Sequence, residues 1–153
     1  MRGVVDGFTV GMSTLKEEGN AAFKAGQYEL AVEKYSAALA EDPKAYAVYS
    51  NRSAAYLKLG KATAALKDAE ACITWKGDFT RGWLRKGQAH EALSQWRDAV
   101  EAYRSGLDFD PSNDQLKQAH KAADEAERRV PRSSAPAPAP RPAPAPSPAP
   151  PPV

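Results

Sequence analysis

Cysteine is nearly absent from this 153-residue chain: Cys72 stands alone, so no internal disulfide can form, which agrees with a reducing compartment. Histidine is almost as scarce, with His90 and His120 the only two. So small a stock of nucleophilic and metal-binding side chains argues against an autonomous thiol enzyme or metalloenzyme, and no catalytic residue, metal or cofactor is expected. Long apolar runs are missing too. No stretch approaches the roughly 18 apolar residues of a membrane span, and Met1 to Gly11 lack the apolar region of a signal peptide. The expectation is a soluble, cytoplasmic chain without a membrane partner. Charge of one sign is also lacking, with 21 Lys and Arg against 19 Asp and Glu. Arg132 and Arg141 supply the whole excess, so the part before them is close to neutral, whereas nucleic-acid binders are normally more basic. No nucleic-acid partner is expected.

Proline is rare until the end, where 11 of 13 lie between Pro131 and Pro152. Ser133 to Val153 alternates Ala and Pro and has almost nothing with which to build a core. Such a tail samples polyproline II at about 3.1 Å per residue and behaves as a semi-rigid spacer. Prolines at every second position suit SH3-like recognition poorly, since only Pro148 and Pro151 have the PxxP spacing. A linker is the better reading, with the chain the N-terminal part of something longer. The expected organisation is an extension over 1–11, a folded domain over 12–130 and a disordered Ala/Pro-rich tail over 131–153.

What the domain does contain is an internal period of 34 residues. Registers starting at Met12, Tyr46 and Thr80 align Leu15, Tyr49 and Trp83 at the fourth column and Ala31, Ala65 and Ala99 at the twentieth. Column 24 holds Tyr35, Ala69 and Tyr103; column 27 holds Ala38, Cys72 and Gly106. Apolar residues recur at i, i+3, i+4 and i+7 within each unit, as in Tyr28, Ala31, Val32, Tyr35 and Leu39, which predicts two helices of about 14 residues per repeat. Ala25-Gly26-Gln27 and Leu59-Gly60-Lys61 mark turns inside the first two units, and Asp42-Pro43 and Asp110-Pro111 mark helix ends. Small residues at columns 8, 20 and 27 let helix axes approach closely while Tyr, Trp and Leu fill the gaps. The second repeat is the least regular: Gly77 replaces the proline and Ala62 stands where Tyr28 and Trp96 sit, so a looser turn is expected there.

These three registers resemble the tetratricopeptide repeat (TPR) family from about Met12 to Val130. The resemblance implies an all-α fold, a right-handed superhelical stack of three helix pairs over 12–45, 46–79 and 80–113. The segment from about 114 to 130 resembles the polar solvating helix that closes such arrays. In a stack of this kind the first helices of successive repeats line a concave groove, so function is sought there. Lys16 and Asn20 share one face of the first of these helices, Arg81 and Arg85 share one face of the third, and Asn51 lies on the helix between. Two like charges at i and i+4 cost an isolated helix about 0.2–0.5 kcal/mol. Lys16 and Arg85 have no carboxylate three or four residues away and Arg81 has only Asp78, while Arg97 with Glu101, Arg104 with Asp108 and Lys67 with Glu70 are expected to pair along their helices.

Leu15-Lys16-Glu17-Glu18-Gly19-Asn20, Tyr49 to Tyr56 and Arg81-Gly82-Trp83-Leu84-Arg85-Lys86 resemble the dicarboxylate clamp of Hsp70- and Hsp90-binding TPR co-chaperones, among them the N-terminal TPR domain of the Hop/Sti1 type. What that implies is an adaptor that grips the C-terminal Glu-Glu-Val-Asp tail of Hsp70, Hsp90 or both through Lys16, Asn20, Asn51, Arg81 and Arg85. A terminal aspartate offers two carboxylates, which three cations and two amides can satisfy. Arg81 stands where the family commonly has lysine, keeping the charge in a longer, flatter head group. Secondary groove positions of Hsp70-binding relatives fall on Phe23, Ala54, Leu57, Lys58 and Glu91, with Phe23 and Leu57 bulkier than is usual there.

The plainer reading of any single Lys or Arg here is a solvated helix face, and only the joint pattern favours the clamp. Asn20 and Asn51 carry most weight, because asparagine is a poor residue for a helix interior. Cys72 and His90 read as packing residues, and Trp83 and Trp96, on repeat-defining columns, as core. Two alternatives stay open: the targeting domain of a larger enzyme, such as a phosphatase or peptidyl-prolyl isomerase, and a general scaffold whose groove takes an internal peptide. Neither Hsp70-versus-Hsp90 preference nor oligomeric state is legible in these residues, although a monomer is favoured.

Overall fold

The computed structural model describes residues 7–131, with side chains from Thr14 onward. Residues 1–6 of the extension and the Ala/Pro-rich tail beyond Pro131 lie outside the described residues. Seven helices and no strand make up the described part: α1 (Gly7–Lys24), α2 (Tyr28–Glu41), α3 (Tyr46–Lys58), α4 (Ala62–Trp75), α5 (Thr80–Ala92), α6 (Trp96–Phe109) and α7 (Asp114–Arg129). The period shows directly in these bounds, since α2, α4 and α6 begin at Tyr28, Ala62 and Trp96 and end at Glu41, Trp75 and Phe109. Only α1 departs, running N-terminal of Met12, because no earlier repeat supplies a turn to fix its start.

Each helix pair is closed by the same turn. Gly26, Gly60 and Ser94 occupy one column and all adopt left-handed backbone, with φ of 76°, 73° and 58°. Gln27, Lys61 and Gln95 then donate their N–H groups back to the carbonyls of Ala22, Tyr56 and His90 at 2.9, 2.9 and 2.8 Å, completing a Schellman cap. The third turn carried no glycine signal in the sequence, yet the packing of the pair imposes the same geometry on Ser94. Between repeats, the turn at Gly77 is no looser than the others. Lys76 bonds to Cys72 and Phe79 to Lys76, as Asp42 bonds to Ala38 and Ala45 to Asp42. The missing proline removes no hydrogen bond, so the turn keeps its shape.

Close helix approach depends on the small columns. Ala31, Ala65 and Ala99 are fully buried, as are Ala38 and Cys72, and burial pushes the Cys72 thiol up to about 12. Column 8 decides what fills the space beside it. At Gly19 and Gly87 the ring of Tyr35 or Tyr103 lies where a side chain would otherwise be, whereas in the second repeat Ala69 supplies no ring and Ser53 donates to the Ala65 carbonyl at 2.8 Å. Columns 7 and 23 carry an ion pair between the two helices of a repeat, Glu18 with Lys34 at 2.8 Å and, with the signs exchanged, Arg52 with Asp68 at 2.7 Å. Leu116 and Ala123 bury α7 against Leu84, Val100 and Tyr103, and Asn113 caps its first turn by accepting from the Leu116 N–H at 3.0 Å.

Some expected contacts are not formed. Arg97, Arg104 and Lys67 do not pair along their helices; Glu70 reaches Lys86 of the next helix at 3.9 Å instead, because contacts between helices compete for these charges. Trp83 and Trp96 are half-buried rather than fully core. The Trp83 indole donates to the Gly77 carbonyl at 2.8 Å and stacks on Phe109, which keeps one edge near the surface. His90 is buried as expected, its Nδ1 2.7 Å from Gln95 Oε1.

Candidate functional site

Helices α1, α3 and α5 bring three of the five expected clamp residues onto one cavity of about 170 Å³. Asn20 and Phe23 enter from α1, Asn51 and Ala54 from α3 and Arg85 from α5, with Lys24 and Tyr35 completing the lining. The two asparagines meet directly, Asn51 Nδ2 donating to Asn20 Oδ1 at 3.2 Å, and the Tyr35 hydroxyl donates to the same oxygen at 2.6 Å. Lys16 and Arg81 do not line this cavity. Each is one helical turn before a residue that does, Lys16 before Asn20 and Arg81 before Arg85, so they share faces with lining residues.

The electrostatics of the site are those of cations without counter-charges. Burial lowers the Arg85 guanidinium from its ordinary value, and the Arg81 charge lowers it further. Its Nη1 donates to Gln88 Oε1 at 2.8 Å, while its Nε is buried with no partner. Arg81 lies over the Phe79 ring at 5.9 Å, and Asp78, the one carboxylate near it in sequence, pairs with Lys76 at 3.2 Å. Lys16 has no carboxylate partner among the described residues. An arriving carboxylate would therefore relieve an existing penalty at Arg85 instead of displacing an ion pair.

Of the secondary positions, Phe23 and Ala54 line the cavity, and Phe23 packs edge-on against Tyr28 with centroids 5.3 Å apart. Leu57 is half-buried and Lys58 exposed, one turn further along α3, and neither lines it. Glu91 lies beyond Gln88 on α5, again outside the lining; burial raises its carboxyl above the usual range, and the Tyr103 hydroxyl offsets part of that rise. Two lining residues escaped the sequence reading. Lys24 continues the Lys16 and Asn20 face at the next i+4 step, and Tyr35 had registered only as a repeat column, although a tyrosine opposite glycine at column 8 is a signal that its ring passes that helix toward the groove.

The TPR repeat profile matches residues 19–60, and the tetratricopeptide repeat profile matches residues 46–79. Among solved structures, the second TPR domain of the human RPAP3 protein, determined with the HSP70 peptide SGPTIEEVD, is 30% identical with a TM-score of 0.74; the match covers 77% of this chain and 98% of that one. The chain belongs to the tetratricopeptide repeat family. A further TPR domain, the first of Spaghetti (RPAP3), bound to the HSP90 peptide SRMEEVD, is 28% identical with a TM-score of 0.74, over 77% of this chain and 94% of that one. The Hsp70-Hsp90 organizing protein of Triticum aestivum is 43% identical over 101 residues, 66% of this chain but only 17% of the wheat protein. The chain thus spans less than a fifth of that relative's length. As an all-α stack, this TPR domain presents its first helices to the cavity, and none of its described helices is long and apolar enough to cross a membrane.

Proposed function

We propose that this TPR domain is a co-chaperone adaptor module, a binding protein and not an enzyme, that captures the C-terminal Glu-Glu-Val-Asp segment of Hsp70 or Hsp90 in the cytoplasm. The observation that carries the reading is the convergence of Asn20, Asn51 and Arg85 from three helices on one cavity, with Arg85 half-buried and its buried Nε unpaired. Lys16, Asn20 and Asn51 hold one carboxylate of the terminal aspartate, and Arg81 with Arg85 the other. Phe23 and Ala54 receive the apolar residue before it, and Leu57, Lys58 and Glu91 read residues further upstream. Relatives named for organising Hsp70 and Hsp90, and TPR neighbours holding peptides that end in EEVD, support this assignment.

Calorimetric titration with a short peptide ending in Glu-Glu-Val-Asp, beside the same peptide amidated at its C-terminus, tests it. Amidation removes one of the two carboxylates, and charge-assisted hydrogen bonds of about 1.5–3 kcal/mol go with it, so binding weakens at least tenfold. Affinity also falls as salt rises, since the groove cations are partly open to solvent. Equal binding of the two peptides would return the groove to the recognition of internal segments.

A further inference from the structure

The clamp needs its asparagines to act as donors, yet an asparagine side chain is an oxygen and a nitrogen of nearly equal size that exchange places by a half-turn. Turned one way, Asn20 offers N–H groups to an anion; turned the other, it offers a partial negative charge. The structure holds Asn20 in the first orientation. Its Oδ1 accepts from the Tyr35 hydroxyl at 2.6 Å and from Asn51 Nδ2 at 3.2 Å. A carbonyl oxygen has two acceptor sites, so both are filled and Nδ2 is left for the cavity that Asn20 lines.

We infer that Tyr35 is a positioning residue of the groove: its buried hydroxyl, delivered from α2, locks the Asn20 amide with Nδ2 facing the incoming carboxylate. This rests on the carboxylate-binding reading above. The Tyr35 bond is the shorter of the two by 0.6 Å and comes from a side chain only 2% exposed, whereas the Asn51 amide belongs to the groove itself and is half-exposed. The ring cannot swing away, because it lies 2.6 Å from where a Cβ on Gly19 would sit, wedged between α1 and its own helix. Burial pushes the Tyr35 phenol up to about 12, so the hydroxyl stays protonated at any physiological pH and remains a donor. The third repeat supplies an internal control. Tyr103 passes Gly87 as Tyr35 passes Gly19, but the residue at the Asn20 column is Gln88, whose oxygen Arg85 already uses, and the Tyr103 hydroxyl faces Glu91 instead. Only in the first repeat does this tyrosine column hold a groove amide.

Tyr35→Phe removes one oxygen and keeps the ring, so packing against Gly19 survives. The titration is run on the wild-type chain and on Tyr35→Phe with both the free-acid and the amidated peptide, alongside NMR of the Asn20 side-chain amide in the unliganded proteins. Roughly five- to tenfold weaker binding of the free-acid peptide is expected, the size of one lost hydrogen bond, with much less change toward the amidated peptide. The Asn20 NH₂ resonances should be sharp and slow to exchange in the wild type and shifted or broadened in the variant. A merely structural tyrosine would weaken both peptides alike or neither, and would leave those resonances in place; either result overturns the inference. If the wild-type chain fails to distinguish the two peptides, the carboxylate-binding reading falls, and the inferred role in carboxylate binding falls with it. The amide resonances still report whether Tyr35 holds Asn20, so the two failures are told apart.

Discussion

In the first repeat the Tyr35 hydroxyl ends 2.6 Å from Asn20 Oδ1, whereas in the third the Tyr103 hydroxyl is fully buried, faces Glu91 and makes no hydrogen bond of good geometry. Both rings lie in the notch left by a glycine on the preceding helix, and both belong to the same column of the repeat. What differs is the company on the preceding helix: Asn20 and Phe23 in the first case, and in the second Gln88, already engaged by Arg85, with Glu91 at the Phe23 column. Repeat columns thus fix where a ring goes, while residues outside the repeat pattern decide whether its polar end is used. In the third repeat burial raises the hydroxyl well above the ordinary tyrosine range, and the charge and hydrogen bonding of Glu91 raise it further.

Filling either notch should have the largest effect. Gly87→Ala would place a methyl inside the Tyr103 ring, and Gly19→Ala would place one 2.6 Å from the Tyr35 ring. Overpacking of this kind costs about 1–3 kcal/mol, with Gly87→Ala the worse of the two, as urea unfolding will show. If Gly19→Ala proved as stable as wild type, the first repeat would have room to move its ring and the notch would not be what fixes it.

The hydroxyls themselves separate the repeats more sharply. Tyr35→Phe breaks a well-formed hydrogen bond and should destabilise by about 0.5–1.5 kcal/mol, whereas Tyr103→Phe removes a hydroxyl that only faces Glu91 without good hydrogen-bond geometry and should cost less. Thermal melting of both variants reads the difference in size. Equal losses would mean that the contact of Tyr103 with Glu91 is as strong as the bond of Tyr35 to Asn20.

The smallest effect concerns the turns. Ser94 is the one non-glycine residue with positive φ among the described residues, at a column where the other repeats have glycine. Ser94→Gly should stabilise by about 0.5–1 kcal/mol, since the left-handed cost to an L-residue exceeds the extra chain entropy of glycine. A lower melting temperature for this variant would show that the serine side chain compensates for its backbone.

These comparisons also show which parts of the molecule were legible in the residues. The period placed α2 through α6, because Ala31, Ala65 and Ala99 must be small wherever two helices approach, and that requirement survives in sequence as a column. Asn20, Asn51 and Arg85 were found as a shared pattern of donors on first helices, and the cavity brings them together. The Ser94 turn was not found, because its conformation is set by the caps and packing around it and not by the residue's own preference. Ion pairs were missed for a related reason. A search at i+3 and i+4 sees one helix at a time, whereas Glu18–Lys34, Arg52–Asp68 and Lys86–Glu70 join different helices. Tyr35 was legible only as a repeat column: the column explains its ring, and nothing in a single sequence says which atom its oxygen meets.

The chain of contacts from Tyr35 through Asn20 to Asn51 touches α2, α1 and α3 in turn, and so crosses the joint between the first two repeats. A stack of repeats behaves as a spring whose twist is distributed over such joints. Here the Asn51 bond, which crosses the joint, and the Tyr35 bond, made within the first repeat, meet on a single oxygen atom. Unwinding that joint would lengthen the Asn51 bond and free one of the two acceptor sites on Asn20, so the facing of a groove amide is tied to the twist between neighbouring repeats.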